Sequence, residues 1–134
     1  MAEHPNVQRV RDAYDAFGAG DLDTALKDLA DNAVFHFKGD GPLGGDHRGR
    51  ADIEKALIAA FEITGGTQKL DIRGIYADED HAVVMLRETA TRPDGATLDL
   101  DEAHVIKVDA DGKITDLWDL QTDPELHDRF FDGQ

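Results

Sequence analysis

The chain of 134 residues contains no cysteine and no serine. Without cysteine there are no disulfides, no thiolate ligands for a metal and no thiol nucleophile. Without serine the hydroxyl nucleophile of a hydrolase triad is missing too. A covalent mechanism would have to use Thr, Asp, Glu, Lys, His or Tyr. Basic residues are also scarce, with 14 Lys and Arg against 29 Asp and Glu and a formal charge of −15. Phosphate binding needs clustered Lys and Arg, so neither nucleic acid nor an anionic membrane is an expected partner. Long apolar runs are lacking as well: none approaches the ~20 residues of a membrane-spanning helix. The N-terminal run MAEHPNVQRV does not follow the basic-then-apolar layout of a secretory signal, so a cytoplasmic location is expected. No repeat or linker interrupts the sequence, and its length suits one domain over residues 1–134.

What is present reads as helices first and strands afterwards. Val7, Val10, Tyr14 and Phe17 make one helical stripe, with Asn6 as N-cap and Gly18 and Gly20 at the end. Asp21 caps a second helix with the stripe Leu22, Ala25, Leu26 and Leu29, and a third helix runs from about Ala51 to Ile63. A short strand, Ala33 to Lys38, and a glycine-rich loop lie between the second and third helices. After Gly66 four strands follow, Gln68–Ala77, His81–Arg92, Ala96–Val108 and Lys113–Leu120, separated by turn-forming Asp, Pro and Gly residues. A last helix begins near Pro124. This order specifies an α+β fold with helices on one face of a mostly antiparallel sheet, whose long strands must bend and enclose a cavity.

The strand Ala96–Val108 sets its own orientation. Leu98, Leu100, Ile106 and Val108 share a parity that also carries Glu102 and His104, whereas Asp99, Asp101 and Lys107 lie on the other face. His104 therefore points toward the helices, roughly 7 Å along the strand from Glu102 at two strand steps. The partner across the next hairpin depends on the turn. A three-residue loop with Gly112 in the left-handed position pairs Asp109 with Lys113 and sets Trp118 opposite His104. A two-residue loop sets Leu117 opposite His104 and Asp119 opposite Glu102. The first register is preferred because glycine takes the left-handed position without strain.

Other motifs fail on mechanism. Gly39-Asp40-Gly41-Pro42-Leu43-Gly44 has dinucleotide-type glycine spacing but opens no helix, so no cofactor is expected. His36, Asp46 and His47, with His81 or His104, match no zinc spacing, and no metal is expected. Asp109-Ala110-Asp111-Gly112 is a hairpin turn rather than a calcium loop.

The runs AYDAFGAGDLDTALKDLADNAVFHF, HRGRADI and KVDADGKITDLWDLQTD resemble the SnoaL-like and ketosteroid-isomerase-like proteins of the nuclear transport factor 2-like superfamily, over nearly the whole chain from Val7 to Phe131. The resemblance implies a cone-shaped α+β barrel, three helices packed on a strongly curved sheet, usually dimeric, with an apolar pocket. The isomerase general base falls here on Phe37, its oxyanion-binding Asp on His104, and its oxyanion-binding Tyr on Ala13, next to Tyr14. SnoaL-like cyclases also place a His on the strand of His104; their acid/base Asp falls on Trp118, beside Asp119.

The expected function is isomerisation or cyclisation by proton transfer on a small apolar carbonyl compound, without a cofactor. His104 is the candidate acid/base, oriented by Glu102, and Tyr14, Phe35, Phe37 and Trp118 are the candidate pocket walls. The alternatives are a non-catalytic carrier of a small apolar ligand and a homodimerisation module using the outer sheet face around Val83, Met85 and Val105.

Overall fold

The computed structural model describes residues 3–37, 39, 41 and 43–132. Lys38, Asp40 and Pro42, expected at the end of the first strand and in the glycine loop, lie outside them. Helix α1 (Pro5–Gly18) starts on a proline, whose missing N–H costs nothing in a first turn. Its cap is His4 rather than Asn6: His4 Nδ1 accepts from the Asn6 backbone N–H at 3.1 Å. Asn6 is buried, and its side-chain amide donates to the Asp78 carbonyl at 3.0 Å. A buried amide needs such a partner, and this one ties the helix start to the far end of the sheet.

Helix α2 (Leu22–Ala25) is only four residues long, capped by Asp21. Leu29, expected on its stripe, instead opens strand β1 (Leu29–Phe37), pairing with Ile114. Ladder pairing wins over a further helical turn because so short a helix never repays its nucleation cost. Strand β2 (Gly45–Arg48) was not expected, since GDHR has neither alternation nor β-branched residues. It is a short polar strand at the sheet edge, which discourages edge-to-edge association. Helix α3 (Gly49–Ile63), strands β3 (Lys69–Ala77), β4 (His81–Thr91), β5 (Thr97–Val108) and β6 (Ile114–Gln121), and helix α4 (Pro124–Asp132) complete the order, close to the expected bounds.

The six strands form one sheet in the order β2-β1-β6-β5-β4-β3, with β1–β6 parallel and the other neighbours antiparallel. The fold is the expected α+β cone. Along β5 the residues Leu98, Leu100, Glu102, His104, Ile106 and Val108 are all buried. Ile53 of α3, Val84, Leu86 and Ile106 are at most 1% exposed and anchor the larger core cluster. A second cluster gathers Leu98, Leu100, Ala60, Phe130 and Phe131 under α4. Truncating Ile53 to Ala would cost about 2–5 kcal/mol, because so closed a site cannot collapse around the lost methyls.

The β5–β6 hairpin decides the site. Its turn is the preferred three-residue form: the Asp109 N–H donates to the Lys113 carbonyl, and Gly112 takes φ +78°. One residue later the register shifts, so that Val108 pairs with Ile114 but Lys107 pairs with Asp116. Thr115 is the extra residue of this bulge, and every later side chain of β6 turns to the other face. The expected pairing of Trp118 with His104 is thereby corrected: His104 pairs with Asp119, and Trp118 pairs with Val105 on the outer face.

Candidate active site

Between the helices and the inner sheet face lies a cavity of about 130 Å³ that opens to solvent, walled mainly by apolar side chains. A cavity of this order holds a one-ring molecule. Val10, Tyr14 and Phe17 enter from α1, Ala56, Leu57 and Ala60 from α3, Phe35 and Phe37 from β1, and Phe131 from α4. The amphipathic stripes read from sequence are what bring these residues together.

Polar groups are confined to one strip of the wall. His104 on β5 stands in the middle, 8% exposed. Its Nδ1 lies 2.5 Å from the Tyr14 hydroxyl, a short hydrogen bond that links sheet to helix. Its Nε2 lies 3.3 Å from Asp119 Oδ1 and 3.7 Å from Glu102 Oε1. The Asp119 approach is an ion-pair contact rather than an aligned hydrogen bond, leaving Oδ1 without a hydrogen-bond donor among the described residues; Glu102 Oε2 is in the same position. Both atoms are buried, and orphaned buried oxygens of this kind are rare.

Beyond Glu102 the strip continues to Glu88 on β4. Its carboxylate accepts from Gln68 Nε2 at 2.6 Å, and its other oxygen lies 3.1 Å from His127 Nε2 of α4. Glu102 sits between the two clusters: one donor or acceptor atom each from Glu102, His104 and Asp119 lie within 4.8 Å of one another, as do those from Glu88, Glu102 and His127. Both sets contain donor types that a divalent ion accepts, and an ion in the set with His104 would compete with that imidazole for Asp119.

The titration behaviour follows from this crowding. Burial raises the pKa of Tyr14, which stays a phenol. Burial alone would lower His104, but its contacts with Tyr14 and Asp119 outweigh that and push it up to about 10. Because Tyr14 is held protonated, Asp119 supplies the operative charge at neutral pH. Asp119 is correspondingly held down at about 2 by His104, against its own burial. Three buried carboxyls cannot all ionise at this spacing. Glu102 yields: burial first, then Glu88 and Asp119, lift it far above the carboxylate range. Glu88 stays ionised despite its burial, held by His127, by a hydrogen bond with neutral Glu102 and by Gln68.

His104 and Glu102 therefore meet, as expected, and Tyr14, Phe35 and Phe37 line the cavity. Trp118 does not. It stacks on His36 across the outer face, ring centroids 4.9 Å apart, and His36 is held between Asp46 and Asp116. Asp119, expected near the site only in the two-residue-loop register or as the neighbour of the cyclase Asp position, faces His104, and Glu88, Gln68 and His127 were not among the expected site residues. Glu88 carried the same signal as His104, a polar residue on the buried parity of Val84, Leu86 and Ala90.

The comparisons agree with this architecture. The sequence profile of the SnoaL-like domain matches residues 10–117, and the chain belongs to that family. Bal32a, from a soil-derived mobile gene cassette, is 30% identical, with TM-score 0.88 and coverage of 94% of this chain and 95% of that one. TerC, solved with polyporic acid, is 25% identical at TM-score 0.82, covering 95% and 98%. A putative SnoaL-like polyketide cyclase from Jannaschia sp. CCS1 shares the fold at TM-score 0.79 and 15% identity, covering 100% and 99%. No curated protein matches the sequence.

Proposed function

We propose that the chain is a cofactor-independent enzyme that moves a proton on a small, mostly apolar carbonyl compound, as isomerases and cyclases do. The observation that carries this reading is the buried chain Asp119–His104–Tyr14 beside a neutral Glu102, opening into an otherwise apolar cavity. With His104 protonated, its Nδ1–H donates to the Tyr14 oxygen, and the Tyr14 hydroxyl proton is left to donate to a substrate carbonyl. Neutral Glu102 adds no charge to that end of the site and bridges Asp119 to Glu88. A fixed donor in a water-poor cavity favours the enolate that forms when the adjacent C–H is lost. Asp119, ionised and with Oδ1 free of an aligned donor, receives that proton and returns it to another atom of the substrate. Here Asp119 takes the part that the family resemblance gave to an acid/base Asp on this strand. Phe37 leaves β1 without a base, so the acid/base work lies on β5 and β6.

Phenol mimics the enolate oxygen on a ring and tests the Tyr14 donor without a known substrate. Its affinity, measured by NMR titration, should fall roughly tenfold in Tyr14→Phe, the worth of about one good hydrogen bond. An unchanged affinity would remove the carbonyl site from Tyr14 and His104.

The outer sheet face supports a homodimer. Tyr76, Met85 and Leu120 are at least 40% exposed there, beside Val83, Val105 and Trp118. Exposed apolar groups contiguous across four strands are more often covered than left in water.

A further inference from the structure

We propose that the Glu88–Gln68–His127 cluster is a second recognition station in the same cavity, and that the substrate is a ring compound carrying a hydroxyl group besides its reacting carbonyl. This rests on the carbonyl-site reading above and extends it to the substrate's class.

Glu88 faces the cavity from β4 and is 2% exposed. Gln68, His127 and the protonated Glu102 each use one of its acceptor positions, and a carboxylate offers about four. An apolar wall has no packing use for an ionised carboxylate, and a charge so deeply buried destabilises the fold unless something is gained by it. Glu102 gives the independent sign of a ligand. Its carboxyl stands between the two stations, 2% exposed, with Oε2 lacking any partner among the described residues.

The geometry limits the ligand. Each station has atoms within 4.8 Å of the Glu102 carboxyl, so both can be reached by substituents of a single six-membered ring. The group at Glu88 must donate, because an ionised carboxylate only accepts. A second carbonyl or a carboxylate would be rejected, the latter by charge. His127 comes from α4, so the station also links ligand recognition to the helix that covers the second core cluster.

The test compares phenol with resorcinol and hydroquinone by NMR titration on the wild type, Glu88→Gln, Gln68→Leu and Tyr14→Phe. The expected result is that at least one diol binds the wild type roughly tenfold or more tightly than phenol, as a hydrogen bond to a charged group allows. Glu88→Gln should remove most of that preference, bringing the diols to within about twofold of phenol on the same variant. If Glu88→Gln does not fold, Gln68→Leu, which weakens the same station, is read the same way. Diols that bind no better than phenol, or a Glu88 or Gln68 variant that weakens all three alike, would overturn the inference. Phenol affinity that ignores Tyr14→Phe would instead overturn the carbonyl-site reading, so the two failures are distinguishable.

Discussion

Replacing Glu102 by Gln should stabilise the folded protein increasingly as the pH rises. Glu102 is buried beside two ionised carboxylates and is held neutral in the folded state, whereas in the unfolded chain it titrates near its ordinary value of 4.5. The folded state therefore binds one proton more than the unfolded state at any pH above about 5, and stability falls as pH rises. The slope is roughly 1.4 kcal/mol per pH unit, so at pH 7 the 2.5-unit gap costs roughly 3 kcal/mol. Gln keeps the shape and the donor of a protonated Glu but has no proton to hold. Urea unfolding of both proteins from about pH 5.5 to 8 reads the difference directly. Its intercept depends on how well the amide packs, but its slope does not. A stability difference that stays flat across this range would show that Glu102 is ionised when folded and would refute the reasoning.

Deleting Thr115 removes the bulge but keeps its flanking pairs, Val108 with Ile114 and Lys107 with Asp116, so Asp119 stays opposite His104. Phenol binding should therefore survive the deletion; a folded variant that no longer binds phenol would contradict the register. Trp118→Ala should leave phenol affinity within about twofold, because the indole lies on the other face of the sheet. His104 contributes stability in full below its ordinary 6.5 and loses that contribution as pH rises through about 10. The stability gap between wild type and His104→Gln should therefore narrow over that window, as seen in paired urea melts. Light scattering should give about twice the 14.7 kDa chain mass for the wild type, and the single-chain mass for Val105→Glu at the centre of the outer face.

The inner face of β5 was legible because charge and apolar residues alternate cleanly there: Asp99, Asp101 and Lys107 against Leu98, Leu100 and Ile106. That alone placed His104 and Glu102 inward. β6 offered no such contrast. Ile114, Trp118 and Leu120 share one parity and read as a buried face, yet Trp118 and Leu120 form part of an apolar outer surface, and Leu117 and Asp119 are the buried pair. Two apolar faces on one strand cannot be ranked from the strand itself; the bulge at Thr115 is fixed by the neighbours β1 and β5. The turn at Gly112 was read correctly because its chemistry is local. Strand β2 escaped notice because pairing with β1, and not propensity, extends it. Glu88 and His127 come together only across 39 residues of chain, although the parity of β4 marked Glu88 as buried.

The most direct measurement is the exchange of α-protons for deuterium in a one-ring ketone such as cyclohexanone, followed by NMR in heavy water with wild type and Asp119→Asn. Proton transfer through Asp119 predicts exchange well above the buffer rate in the wild type and a fall of roughly 10²-fold or more in the variant. Saturation transfer reports whether each protein holds the ketone. Ketone bound by the wild type but exchanging no faster than with Asp119→Asn would contradict catalysis and leave the cavity as a binding site alone.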